Sequence, residues 1–162
     1  MIAEKMQGAM NEQINAELYS AYLYLAMAAY FEDRNLKGMA HWMEKQAAEE
    51  YAHAKKFYDF IFERGGRVTL KAIASPPAAW KSPLDVFREA YAHEQKVTGL
   101  IYALVELAAA EKDHAASVLL DWYVAEQVEE EASASEIVAQ LEVVKDSPPA
   151  LFMLDGRLGQ RE

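Results

Sequence analysis

Residues 67–83 read RVTLKAIASPPAAWKSP and hold three of the chain's 5 prolines, Pro76, Pro77 and Pro83, just after the pair Gly65-Gly66. Glycine reaches left-handed conformations cheaply and proline cannot continue a helix, so a helix must stop at Gly65. The next starts at Ser82-Pro83, a cap residue followed by a first-turn proline. The link is about seventeen residues, long enough at ~3.3 Å per extended residue to travel the whole length of a helix of about 28 residues, ~40 Å. A link of that reach separates two halves, each of which reads as a helical hairpin.

Apolar residues recur at helical spacing in four segments, about 3–34, 36–64, 83–111 and 113–145. Met10, Ile14, Leu18 and Leu25 are the expected buried residues of the first, which stops near Asp33-Arg34-Asn35. A short fifth helix, about 148–159, follows Pro148-Pro149, with Gly156 expected to interrupt it. With only 7 Gly and 5 Pro in 162 residues, little material remains for other turns. Short links make segments one and two, and three and four, antiparallel neighbours. The expectation is one all-α domain over 1–162: a four-helix bundle with one long crossover between helices two and three.

The net charge of -10 argues against nucleic acid and against anionic membrane surfaces, both of which call for a basic footprint, and favours cations as partners. The absence of Cys excludes disulfides, thiolate metal sites and thiol catalysis, and is compatible with a cytoplasmic location. The start, MIAEKMQG, shows no signal peptide. The longest apolar stretches, LYSAYLYLAMAAYF and TGLIYALVELAAA, fall short of the ~20 residues of a membrane span.

Polar residues on the apolar faces carry the chemistry. Glu17 sits among Ile14, Leu18 and Ala21, with Tyr24 seven residues on and only ~20° away around the axis. Glu50 and His53 form an ExxH pair on one face of helix two, Glu94 lies in AYAHEQKV of helix three, and Gln127 and Glu130 repeat the three-residue spacing in helix four. Singly, each also reads as solvated or as packing; together they place oxygen or nitrogen donors near the middle of every long helix. Four carboxylates cannot remain ionised together in a core without compensation. Two divalent cations would balance Glu17, Glu50, Glu94 and Glu130, and an oxygen-rich set with one imidazole suits iron or manganese, although zinc also fits.

The stretches NEQINAELYSAYLY, EEYAH, HEQ and WYVAEQVEEE, in this order and spacing, resemble the bacterial and archaeal non-haem ferritins over essentially the whole chain. The resemblance implies a ferritin-like bundle that stores iron and has ferroxidase activity: Fe(II) is oxidised with oxygen or peroxide, and Fe(III) mineral is kept inside a hollow homo-oligomer of roughly 24 subunits. It implies two iron ions per subunit, the first held by Glu17, Glu50 and His53. Glu50 bridges to the second, held by Glu94 and Glu130, with Gln127 beside them and Tyr24 close by; Trp122 also fits the pattern.

Glu49, Glu126 and Glu129 each precede an inward residue by one position and are rotated ~100° from it. If helices two and four run antiparallel, all three turn to the same side, which matches the family's additional iron site; a solvated acidic flank is the alternative. Glu131 is read as solvated, and His41, His93 and His114 as surface or partly buried residues. Haem is not expected: bacterioferritins carry a second ExxH in helix four and a methionine after the bridging glutamate, where this chain has Gln127-Val128-Glu129-Glu130 and Tyr51. A rubrerythrin would need a cysteine-rich iron domain, and a mini-ferritin places its ligands across a subunit interface. The acids that line the threefold entry channel of animal ferritins align with Ser117 and Leu120, so entry by that route is not expected. Gln127, being neutral, keeps the pair site at four carboxylates; it is read as a hydrogen-bond partner or weak ligand that holds the second position loosely.

Overall fold

In the computed structural model, which describes residues 1–162, five helices follow one another: α1 (Glu4–Asp33), α2 (Lys37–Glu63), α3 (Pro83–Glu111), α4 (His114–Val144) and α5 (Pro148–Leu158). The all-α bundle with one long crossover, expected above, is the fold observed. Asn35 (φ 57°) and Lys112 (φ 54°) take left-handed conformations that reverse the chain inside the two hairpins, and Gly65 (φ 68°) does so after α2. The Ser82 hydroxyl accepts a hydrogen bond from Asp85 N at 3.2 Å to open α3, and Asp113 Oδ1 accepts from Ala116 N at 3.0 Å to open α4.

Cross-bundle contacts give the directions. Phe31 meets Phe87 at 5.7 Å between ring centroids while Tyr24 bonds to Glu94, so α1 and α3 are antiparallel. Gln46 reaches Glu130, Phe57 stacks on Tyr123 at 4.1 Å and Arg64 pairs with Asp113, so α2 and α4 are antiparallel as well.

The crossover forms no regular structure and lies along α1, where Gln7, Asn11 and Asn15 recur every four residues. Arg67 N donates to Gln7 Oε1 at 2.7 Å, Thr69 N to Asn11 Oδ1 at 2.7 Å, and Asn15 Nδ2 to the Ala72 carbonyl at 3.1 Å. One helix stripe thus supplies the hydrogen bonds that an extended segment cannot make internally.

The buried apolar residues form two groups, one containing Phe31, Met43, Phe87 and Leu141, the other Met10, Phe57, Ile101 and Tyr123. In every long helix, buried polar residues fall between the members of one group and those of the other. The core is therefore interrupted at mid-height by a polar belt held between two rigid apolar ends.

Two expectations are corrected. Leu25 is 50% exposed, because Leu23 and Met27 take the inward positions and leave Leu25 with Tyr22 on the outer face of α1. Gly156 does not interrupt α5, which runs through it; packing against α2 offsets the ~1 kcal/mol that glycine costs a helix interior. That packing is close: a Cβ on Gly38 would lie 1.7 Å from the Asp155 carbonyl oxygen. Asp155 Oδ1 also accepts from Met39 N at 2.8 Å, satisfying a first-turn N–H of α2, which has no side-chain cap next to it in sequence. No helix is long and apolar enough to cross a membrane.

Candidate metal centre

The belt brings together Glu17 from α1, Glu50 and His53 from α2, Glu94 from α3, and Gln127 and Glu130 from α4, none more than 6% exposed. One donor atom each from Glu17, Glu50 and His53 lie within 4.8 Å of one another, and the same holds for Glu50, Glu94 and Glu130. Glu50 belongs to both groups. The ExxH spacing turns His53 Nδ1 to 3.2 Å from Glu50 Oε2. Behind the ring, the Tyr123 hydroxyl donates to the His53 carbonyl at 2.7 Å, and Trp122 meets the imidazole edge-on at 5.4 Å.

Amides surround the carboxylates. Gln13 Nε2 donates to Glu17 Oε1 at 2.9 Å, Gln46 Nε2 to Glu50 Oε1 at 3.3 Å and also to Glu130 Oε2, and Gln127 Nε2 to Glu94 Oε2 at 3.2 Å. The Tyr24 hydroxyl donates to the other Glu94 oxygen. One atom stands apart: Glu17 Oε2 is buried and has no hydrogen-bond partner. Such orphaned oxygens are costly and rare in native cores.

The electrostatics follow from this crowding. Burial first, then the Glu50 charge, pushes the Glu17 carboxyl well above the usual range. Burial and the charges of Glu94 and Glu130 do the same to Glu50. Glu94 is raised by burial, against the pull of its Tyr24 and Gln127 hydrogen bonds, and Glu130 is raised to about 7 by burial and Glu94. Burial likewise raises Tyr24, which remains a neutral donor. The protein alone does not compensate these four acids, whereas two divalent cations would. The donor set, all oxygen but for one imidazole, fits iron.

The other sequence candidates separate. Glu126 Oε1 is 3.7 Å from His53 Nε2, and Glu126 forms a further group with His53 and Glu130. Glu49 pairs instead with Arg161, and Glu129 faces solvent, so Glu49, Glu126 and Glu129 do not converge on one point here. Glu131 is not simply solvated: it is half-buried and accepts from the Thr98 hydroxyl at 2.6 Å, because Thr98 shares the α3–α4 seam with Gln127. His41, His93 and His114 lie outside every group. His93 contacts the Ser20 hydroxyl at 2.7 Å, and burial, with Lys96 adding to it, lowers its pKa to about 4.

Sequence reasoning missed Gln13, Gln46 and Thr98. A signal was present for the first two: each stands four residues before an inward glutamate, Gln13 before Glu17 and Gln46 before Glu50, hence on the same helix face.

A family model described as a ferritin-like domain matches residues 7–144. A bacterial non-heme ferritin of Bacteroides fragilis (strain 638R) is 47% identical over 161 residues, covering 99% of this chain and 100% of its own length. The bacterial non-heme ferritin of Staphylococcus haemolyticus (strain JCSC1435) is 37% identical over 161 residues, with 99% and 97% covered. An open pore ferritin from the hyperthermophilic archaeon Archaeoglobus fulgidus, solved by crystallography, is 54% identical with a TM-score of 0.99 over 100% of both chains. With the sequence matched from end to end and the backbone matched around this carboxylate belt, the chain belongs to the ferritin family.

Proposed function

We propose that the belt is a ferroxidase centre serving an iron store. Two Fe(II) ions bind as substrate, one among Glu17, Glu50 and His53, the other among Glu94 and Glu130, with Glu50 shared. Each gives up one electron to oxygen or hydrogen peroxide, and the ferric product leaves for the interior of a hollow homo-oligomer. Storage of iron is the business of the family, and the Glu/His cluster is the part of this chain that suits oxidation.

The observation that carries the reading is the orphaned Glu17 Oε2 inside a set of buried carboxylates whose mutual repulsion the protein does not relieve. A pair of divalent ions relieves it, and hard carboxylate oxygens favour the ferric state over the ferrous one. Around the ions, the chain supplies orientation. Gln13, Gln46, Gln127 and Tyr24 each donate to a carboxylate oxygen, fixing rotamers before metal arrives, as outer partners do in metal sites generally. Both apolar groups close the belt from above and below and restrict water.

A third iron position on the flank is supported by Glu126, which already meets His53 and Glu130; Glu129 would have to turn in from solvent, and Glu49 would have to leave Arg161, to join it. For assembly, Tyr22 and Leu25 on α1, with Leu70 and Ile73 on the crossover beside it, leave apolar surface for subunit contact.

Aerobic addition of Fe(II) tests the central claim. Stopped-flow absorbance of the ferric product is expected to fall in Glu50→Ala and His53→Ala by more than the roughly 10-fold to 100-fold typical of losing an outer partner. Equal rates in variants and parent would sink it.

A further inference from the structure

Gln46 is 1% exposed and is the one side chain that donates to both Glu50 and Glu130, which belong to different helices. An amide has two chemically different ends, and which end faces the carboxylates decides whether the contact attracts or repels. Glu50 on the same helix and Glu130 across the bundle both accept from its Nε2 end. The opposite, carbonyl end is held from 115 residues away, by Arg161.

Arg161 follows α5, which lies on α2 through the Gly38 contact and the Asp155 bond to Met39 N. Its guanidinium stacks over Trp42 at 4.6 Å, its Nη1 donates to Gln46 Oε1 at 2.9 Å and to the Trp42 carbonyl at 3.3 Å, and its Nη2 pairs with Glu49. Its carbonyl contacts His41 Nε2 at 2.7 Å. Guanidinium is purely a donor. Placed against Gln46, it can donate only to the carbonyl end, which leaves the Nε2 end for Glu50 and Glu130. Glu49 holds the far edge of the guanidinium, so the whole relay is fixed by stacking, one ion pair and two backbone contacts.

We propose that Arg161 is a positioning residue for the metal pair: by taking the Gln46 carbonyl it sets the amide so that its N–H groups hold Glu50 and Glu130 in ligating rotamers. The proposal rests on the two-ion reading of the belt. Without Arg161, nothing holds the carbonyl end, the Gln46 side chain is free to leave the rotamer that spans Glu50 and Glu130, and Glu130, with no other side-chain hydrogen bond, loses its fixed position. The second ion, which depends on Glu130, is then affected more than the first, which depends on Glu17 and His53.

Zinc titration of the full-length, metal-free protein by calorimetry tests this without any redox step. Arg161→Ala is expected to weaken the second zinc ion by about 10-fold, as removal of an outer partner does, and Arg161→Lys, which still offers a donor, is expected to recover part of the loss. In a Gln46→Leu background, Arg161→Ala should cost nothing further, because its effect runs through Gln46. A purely structural role for Arg161 would give additive losses instead. Additive losses, or two zinc ions bound by Arg161→Ala as tightly as by the parent, overturn the proposal. A parent that takes up no second, Glu130-dependent ion removes the two-ion reading itself, and the proposal with it; the Glu130→Gln control distinguishes the two failures.

Discussion

Gln127 is the residue at which the acidic run EQVEEE divides. Its amide donates to Glu94 Oε2 at 3.2 Å and to the Thr98 hydroxyl at 3.2 Å, so it is tied to protein groups in addition to facing the belt. A carboxylate in its place at neutral pH would offer no N–H and would add a like charge beside Glu94. Gln127→Glu should therefore cost the metal-free protein about 1–3 kcal/mol, measured by urea unfolding. In iron-loading experiments the same variant should hold the ferric product longer and turn over more slowly. Faster release would disprove the view that the amide keeps the second position loose. Identity at these positions was legible in the sequence: Glu17, Glu50, His53, Glu94 and Glu130 stand out because charged groups rarely occupy an apolar helix face. The partners of Glu49 and Glu131 were not legible, because their orientation depends on Arg161 and Thr98, which share no helical spacing with them.

Among the elements, α5 is the most informative. Its seat on α2 depends on Gly38, where any Cβ collides with the Asp155 carbonyl at 1.7 Å. Gly38→Ala should release α5 while leaving the four long helices in place, and hydrogen exchange should then lose protection selectively over residues 148–158. Loss of protection throughout the bundle would contradict that division. The junction between the hairpins offers a pH test. Burial pushes Asp113 upward, but its hydrogen bonds from Arg64 and from Ala116 N, together with the Arg64 charge, outweigh this and hold its pKa below the usual 3.8. A folded-state pKa below the unfolded one contributes stability that is present above 3.8 and disappears as pH falls through the lower, folded value. Asn keeps the capping role but not the charge. Asp113→Asn should thus be less stable than the parent at pH ~6 by about 1 kcal/mol, the gap closing by pH ~2.

For the whole molecule, the belt is a cost that bound metal would remove. Four buried acids interrupt a core that would otherwise be continuous, and ion binding to the folded state alone must raise its stability by mass action, ~2.7 kcal/mol per site at a hundred times Kd. Redox-inert zinc should accordingly raise the melting temperature of the parent, and Glu17→Ala, which removes the orphaned oxygen, should reduce that rise. An identical rise in both would mean that zinc acts elsewhere.

The sequence by itself determined the class of fold, the crossover and the donor types, since helix periodicity, caps and Gly/Pro stops act within a few residues of one another and are written in local order. Only the tertiary structure decided which end of Gln46 faces the carboxylates, that Glu49 belongs to Arg161, and that Leu25 faces outward while Leu23 faces in. Those choices depend on how one helix is rotated against another and on which rotamers the packing leaves open. Contacts between residues more than a hundred positions apart, such as Gln46 and Arg161, arise from the sum of many weak packing terms, so no short stretch of the chain encodes them.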